Sequence, residues 1–225
     1  MEGESMGTAA RQWRVGQWLA DGSMEAVAEI NAQCLEFLCT LASGQGQPLP
    51  EMFSGQVLAW RELSLPARAQ LAASPYLLVD AGFGDETRWL LASRRMVQDL
   101  PAPAAEPAFA GAGAAEFIRA VLVLGWHLAR ANRQLARVVL GMTPACATRI
   151  GALGLRDLDW VVQHHPEWVR PRWERQPRVW RHLLGAAREP GAVLLTQVSL
   201  RGLQLLAANV LGVPAGLRGR SSAMS

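Results

Sequence analysis

The stretch HHPEWVRPRWERQPRVW, residues 164–180, decides how this chain is read: it packs three Trp, four Arg and three Pro into seventeen residues. One reading is a nucleic-acid surface, with Arg on phosphates and Trp under bases. The other is a connection stiffened by proline, whose aromatics belong to the core. Proline fixes φ and removes a backbone donor, so Pro166, Pro171 and Pro177 set the path of a segment packed onto helices. Magnitudes favour the core. Truncating a large buried side chain costs about 3–5 kcal/mol, whereas stacking one base contributes about 1–3 kcal/mol. Trp173 and Trp180 are therefore expected inside, and Trp168 is left open. With the rings turned in, Arg170, Arg172, Arg175 and Arg178 are expected to turn out.

Working outward, the charge is uneven. Residues 1–112 carry 7 Arg against 13 acids, and residues 113–225 carry 15 Arg against 6 acids. The balances of −6 and +9 sum to the net charge of +3. A basic half joined to an acidic half is what a surface for nucleic acid or an acidic partner looks like. A solvated Arg face gives the same count. All 22 basic residues are Arg. With abundant Ala, that is the composition of a GC-rich bacterial genome, so the bias alone does not assign a role.

Half of the 225 residues are hydrophobic, enough for a sizeable core in one large or two small domains. PAPAAEPAFAGAGAA, residues 101–115, reads as a linker. The expected organisation is all-α: an acidic helical lobe over 1–100, a linker over 101–114, a basic helical lobe over 115–213 and a frayed tail over 214–225. The short YLLVDAGF near residue 80 is the one strand-like run. Three Cys without CxxC spacing argue against a disulfide framework and a zinc site. The start lacks the layout of a secretion signal, and no apolar run is long enough for a membrane span. The expected location is cytoplasmic.

Two helices stand out. In residues 24–43, Val27, Ile30, Cys34, Phe37 and Leu41 step by 3 and 4, which makes one face and packs Cys34 as a small apolar residue. Residues 115–140 carry a stripe of Phe117, Val121, Leu124, Leu128, Ala131, Leu135 and Val138. Arg119, Arg130, Arg133 and Arg137 each lie two residues beyond a stripe member, about 200° round the helix. The spacing predicts one long amphipathic helix with a basic back. Its seam can pair with a helical partner, with a second copy or with its own domain.

The halves echo each other. LSLPARAQLAASPYLLVDAGFGDETRW ends at Trp89 and LGLRDLDWVVQHHPEWVRPRWERQPRVW ends at Trp180. Each opens on Leu-x-Leu and stops a short helix at a proline, Pro75 or Pro166, with Trp fourteen residues on. Phe83 and Trp173 sit near the middle. This pattern predicts a degenerate tandem repeat. Equivalent aromatics in an acidic copy have no nucleic acid to stack on, which again places them in the core.

Catalytic motifs are lacking: no GxSxG, HExxH, Walker loop or GxGxxG occurs. His164 and His165 close a short helix before Pro166, where a cation meets the negative end of the helix dipole; a cap is the expected role. Asp157 and Asp159 read as acids near a helix start. No enzyme, cofactor, metal or small-molecule substrate is expected. Residues 145–165 read as helix, Gly-Leu turn and helix, the skeleton of a helix-turn-helix, although Asp157 and Asp159 are unwelcome in a recognition helix. The expected binding residues for nucleic acid or a partner are Arg130, Arg133, Arg137, Arg156, Arg170, Arg172, Arg175 and Arg178.

The run ARVVLGMTPACATRIGALGLRDLDWVVQHHPEWVRPRWE, residues 136–174, resembles the flagellar master-regulator D subunit family, FlhD. The shared pattern is a Leu140-Gly141-Met142 turn after a long helix, a short helix with Ala145 and Ala147, and Ala152, Leu153 and Leu155. It closes on Val169, Arg172, Trp173 and Glu174. With a last helix at 191–211, the likeness spans roughly 115–211. It implies an all-helical, dimeric transcriptional activator that works with a zinc-binding C subunit; related pairs regulate mobile elements. This chain is about twice that family's length. The cysteine that can link two family protomers falls near Val169, so no covalent dimer is implied, and a tandem chain can make its own pseudo-dimer. A second expectation is an adaptor. Helical proteins rich in Leu, Trp and Arg also resemble the SctK-type components of type III secretion sorting platforms, which have no DNA role.

Overall fold

The computed structural model describes residues 22–44, 49–94, 106–189 and 192–210. Among them the chain is all-α, as its periodicities predict, with ten helices and one pair of very short strands. In order these are α1 (Ser23–Ser43), a 3₁₀ turn (Glu51–Phe53), α2 (Val57–Arg61), α3 (Leu65–Ala72), β1 (Val79–Asp80) and α4 (Glu86–Arg94). Then follow α5 (Ala114–Ala131), α6 (Arg133–Leu140), α7 (Pro144–Gly151), α8 (Leu155–His164), a second 3₁₀ turn (Pro166–Trp168), β2 (Arg170–Pro171), α9 (Pro177–Arg188) and α10 (Ala192–Val210). β1 falls in the predicted strand-like run.

Local chemistry sets the boundaries. Ser64 caps α3 by accepting from the Ala67 N–H at 3.4 Å, and Thr143 caps α7 by accepting from the Cys146 N–H at 3.2 Å. Each is followed by a proline in the first turn, where a missing N–H does no harm. The long helix expected over 115–140 is instead two. Asn132, at φ −151° and ψ 84°, ends α5 and starts α6, its Oδ1 accepting from the Leu135 N–H at 2.9 Å. The break turns the stripe. Phe117, Val121, Leu124 and Leu128 are buried, but past Asn132 the inward residues are Ala136, Val139 and Leu140, and Val138 is 53% exposed.

The expectation that the Phe117–Val138 seam serves a helical partner or a second copy is corrected by this burial. α5 is enclosed by α1, α7 and α8 of its own chain. Ile118, Leu122 and Ala129, off the stripe, are also buried, so the apolar face of α5 is wider than the stripe, while Glu116, Arg119 and Arg130 stay exposed on the other side. Gly125 allows the close packing: a Cβ there would lie 2.5 Å from the Phe83 ring.

The halves are intertwined. α1 packs on α2 and α3 as α5 packs on α7 and α8, and α1 and α5 meet. The next helix of each half then crosses over: α4 packs on α7 and α8, and α9 packs on α3 and the first 3₁₀ turn. The crossing is at the antiparallel strand pair, with Val79 opposite Pro171 and Asp80 opposite Arg170. Each crossing helix carries a buried Trp tied back to the preceding turn. Trp89 Nε1 donates to the Gly82 carbonyl and Trp180 Nε1 to the Arg172 carbonyl, both at 2.8 Å. One hydrophobic core therefore runs from Ala26 to Leu206, in place of the two separate lobes expected. Of the expected linker, 101–105 lies outside the described residues, as do 1–21 and the tail from 214; of the remainder, Phe109 and Ala114 are buried and most of the other residues are exposed. Phe109 is buried with its ring 5.7 Å from Phe37 and 4.8 Å from Phe117.

Candidate interaction surface

The three tryptophans of the opening stretch are all in the core, including Trp168. Trp180 continues a row of rings from Phe53 and Trp60, at 5.3 and 5.1 Å. Trp168 meets Trp89 edge-on at 5.8 Å, and Trp173 meets Tyr76 edge-on at 5.4 Å. Trp173 has φ +56°, a left-handed conformation rare for a bulky residue, and the packing around it holds that turn.

Arg172 overturns its expected outward orientation. It is 6% exposed, and its guanidinium donates to the carbonyls of Leu77 at 2.8 Å, Val79 at 3.1 Å and Leu140 at 3.0 Å. Its backbone N–H donates to Leu78 O at 2.8 Å. Leu140 is the last residue of α6, where carbonyls lack helical partners and the dipole is negative. A planar five-donor fork meets this need, and an aromatic stack does not. Asp80 Oδ1 stands 3.9 Å away. Burial holds the Arg172 pKa below its ordinary value. Arg172 is a clamp between the halves and takes no part in a surface.

Arg170 is also committed. Its Nε and Nη2 bind both oxygens of Glu174 at 2.6 and 2.7 Å, and Nη1 donates to Glu106 O at 3.1 Å. The hydrogen bond to Glu174 raises its pKa. Arg130 is exposed, lies over the Trp126 ring at 4.9 Å and donates to Gly151 O at 3.2 Å. Arg156 is exposed in the first turn of α8, so Arg130 and Arg156 flank the α7–α8 turn. Arg133 is exposed and Arg137 half-buried on α6. Arg175 and Arg178 are exposed on either side of the α9 start, and among the described residues neither has an ion-pair partner. The acids that spoke against a recognition helix have structural work. Asp157 accepts from the Gly154 N–H at 2.9 Å, and Asp159 pairs with Arg119 at 2.9 Å.

The histidines at 164–165 sit at the end of α8. His164 Nδ1 lies 2.9 Å from the Trp160 carbonyl, and His165 Nδ1 lies 2.9 Å from Glu167 Oε1 beneath Trp168. Cys34, Cys39 and Cys146 are buried free thiols whose pKa values burial pushes up. Among the described residues no three His, Cys, Asp or Glu side chains gather as a metal-ligating group, and no helix is long and apolar enough to cross a membrane.

Beyond Arg178, sequence reasoning missed the outward face of α9. Arg178, Arg181, His182, Gly185 and Arg188 are exposed at helical spacing, while Trp180, Leu183, Leu184 and Ala187 point in. Periodicity over 177–188 carries that signal; the density of Arg and Trp just upstream masks it. Beside this face lies a groove of about 510 Å³ between α2 and α9, with Val57, Leu58, Ala59 and Leu184 in its lining and Arg181 and Arg188 at its edge. No family model matches the chain, and neither a curated protein nor a solved structure matches it.

Proposed function

We propose that the chain is a single-chain, FlhD-like transcriptional regulator that binds DNA, or a DNA-binding partner, through the exposed arginines of its second half. The observation that carries the reading is the reciprocal exchange of α4 and α9 across the β1–β2 pair. It gives one chain the organisation of a dimer of halves, as the resemblance to a dimeric family asks. The residues left to meet phosphates are Arg130, Arg133, Arg156, Arg175 and Arg178, with Arg137 partly available; Arg170 and Arg172 are not among them. Phosphate contacts would position the protein, and α8 or the partner would read bases.

The test uses the full chain. Its affinity for generic duplex DNA is measured from low to physiological salt. The regulator reading expects a log–log slope near −0.9 per phosphate contacted, with a slope smaller by about one for each of Arg175→Ala and Arg178→Ala that removes a contact. No binding at low salt, or a slope unmoved by both changes, leaves the second reading: a non-enzymatic adaptor of the type III secretion sorting-platform kind. The observation favouring that alternative is the apolar groove between α2 and α9, which has the chemistry of a protein-binding rather than a phosphate-binding surface.

A further inference from the structure

We infer that the α2–α9 groove is a docking site for an acidic amphipathic helix of a partner protein. The inference does not depend on whether the chain also binds DNA. The groove is preformed because its walls are fastened together. Near one end, Gln56 Nε2 donates to Pro177 O at 3.2 Å, linking the residue before α2 to the first residue of α9. Toward the other, Arg188 Nη2 donates to Ala59 O at 3.0 Å and stands 3.6 Å from Glu62. Between these fastenings Val57, Leu58, Ala59 and Leu184 line the groove, together with Arg181. Leu58 is 67% exposed, a large hydrophobic side chain left in water. Opposite it, α9 offers Gly185, where an added Cβ would meet nothing within 4 Å. With both in the lining, the bare backbone at Gly185 lets another helix approach closely and Leu58 can meet its anchors at i, i+3 or i+4 and i+7.

Charge selects the partner's chemistry. The α9 side of the groove presents Arg181 and Arg188. Arg181 has no ion-pair partner among the described residues, and Arg188 has the mostly exposed Glu62. Carboxylates flanking the apolar anchors would pair with Arg181 and compete with Glu62 for Arg188. A nucleic acid would engage the same arginines but leave Leu58 in water, which is why a helix is the better occupant.

The probe is a fluorescein-labelled synthetic helix of about 18 residues, with Leu at i, i+4 and i+7 and Glu on the flanks. Its charge-reversed control has Lys for every Glu. The full chain should bind the Glu helix and bind the Lys helix at least about tenfold more weakly. Gly185→Leu should fill the groove and abolish binding while keeping the melting temperature, since Leu is the better helix former. Leu58→Glu, at an exposed site, should do the same by repulsion. Arg181→Ala should weaken binding about threefold, as expected for one exposed charge pair. Equal binding of both helices, or retention of the Glu helix by Gly185→Leu and Leu58→Glu, would overturn the proposal. So would displacement of the helix by duplex DNA through Arg181, which would make the ridge a phosphate site.

Discussion

Helices α4 and α9 hold matching places in the two halves yet serve opposite ends. Both follow a strand, both cross onto the other half, and both bury a Trp whose indole N–H returns to a nearby carbonyl. Their outer faces differ. The first turn of α4 carries Glu86 beside Asp85, whereas α9 carries Arg178, Arg181 and Arg188. The inward halves of the two helices obey the same packing demand, and the outward halves are free to diverge. Two halves of one chain can thus share a packing scheme while only one of them presents a basic face. The turns before them differ as well. The connection at Tyr76–Leu78 is held by a neutral side chain, Asn31, which donates to Ala72 O at 3.1 Å and Tyr76 O at 2.9 Å and accepts from Leu78 N–H at 2.7 Å. The connection after Val169 supplies its own charged clamp, Arg172.

Removing the indoles tests the equivalence most strongly. Trp180→Ala and Trp89→Ala should each destabilise by about 3–5 kcal/mol, lowering the melting temperature by roughly 6–20 °C for a chain of this size. Because the halves share a core, each variant should melt in one transition. Two separable transitions would mean the halves are independent.

The clamps come next. Arg172→Met leaves three buried carbonyls without their donor and should cost about 3 kcal/mol or more. Arg172→Lys, lacking the planar fork, should recover only part of it. Neither change should alter the salt slope of DNA binding measured well below the melt. A changed slope would return Arg172 to the surface. The contact between Phe83 and α5 gives a smaller effect: Gly125→Ala should destabilise by about 1–3 kcal/mol through overpacking, although Ala is the better helix former.

The smallest effect is at high pH. Tyr76 is buried, and burial pushes its phenol up to about 12. The fold then favours the neutral phenol. Between pH 10 and about 12 the folded chain holds a proton that the unfolded chain has released, so stability falls as pH rises through that window and is unaffected below it. Tyr76→Phe should flatten this alkaline arm in urea melts taken between pH 9 and 12.

The helical class and the burial of Val27, Ile30 and Cys34 follow from spacing, as does the strand near residue 80, but Phe37 and Leu41 of the same stripe are half-buried and the inward face continues through Leu38 and Ala42. The inward placement of Trp173 and Trp180 was legible too, because proline restriction and burial energetics act locally. The break at Asn132 was written in the sequence as a helix-capping residue, but an unbroken stripe of apolar positions on either side outweighed it. Arg172 could not be read. A charge is buried only if distant segments bring it donors' partners, and Leu77, Val79 and Leu140 are assembled by the fold. The groove was hidden for the same reason, since Leu58 and Gly185 are neighbours only after α9 has crossed over.

That crossing has a consequence for how the protein comes to exist in time. A chain leaves the ribosome from its N-terminus, and α1 to α3 emerge with Trp60 and Phe53 awaiting a ring that lies more than a hundred residues downstream. The aromatic row of the first half is complete only once α9 has been synthesised and has packed on α3. Entropy must be spent on that long loop before the aromatic row rewards it, so refolding should be slow for a helical protein. Until then Phe53 and Trp60 lack the ring that completes their row.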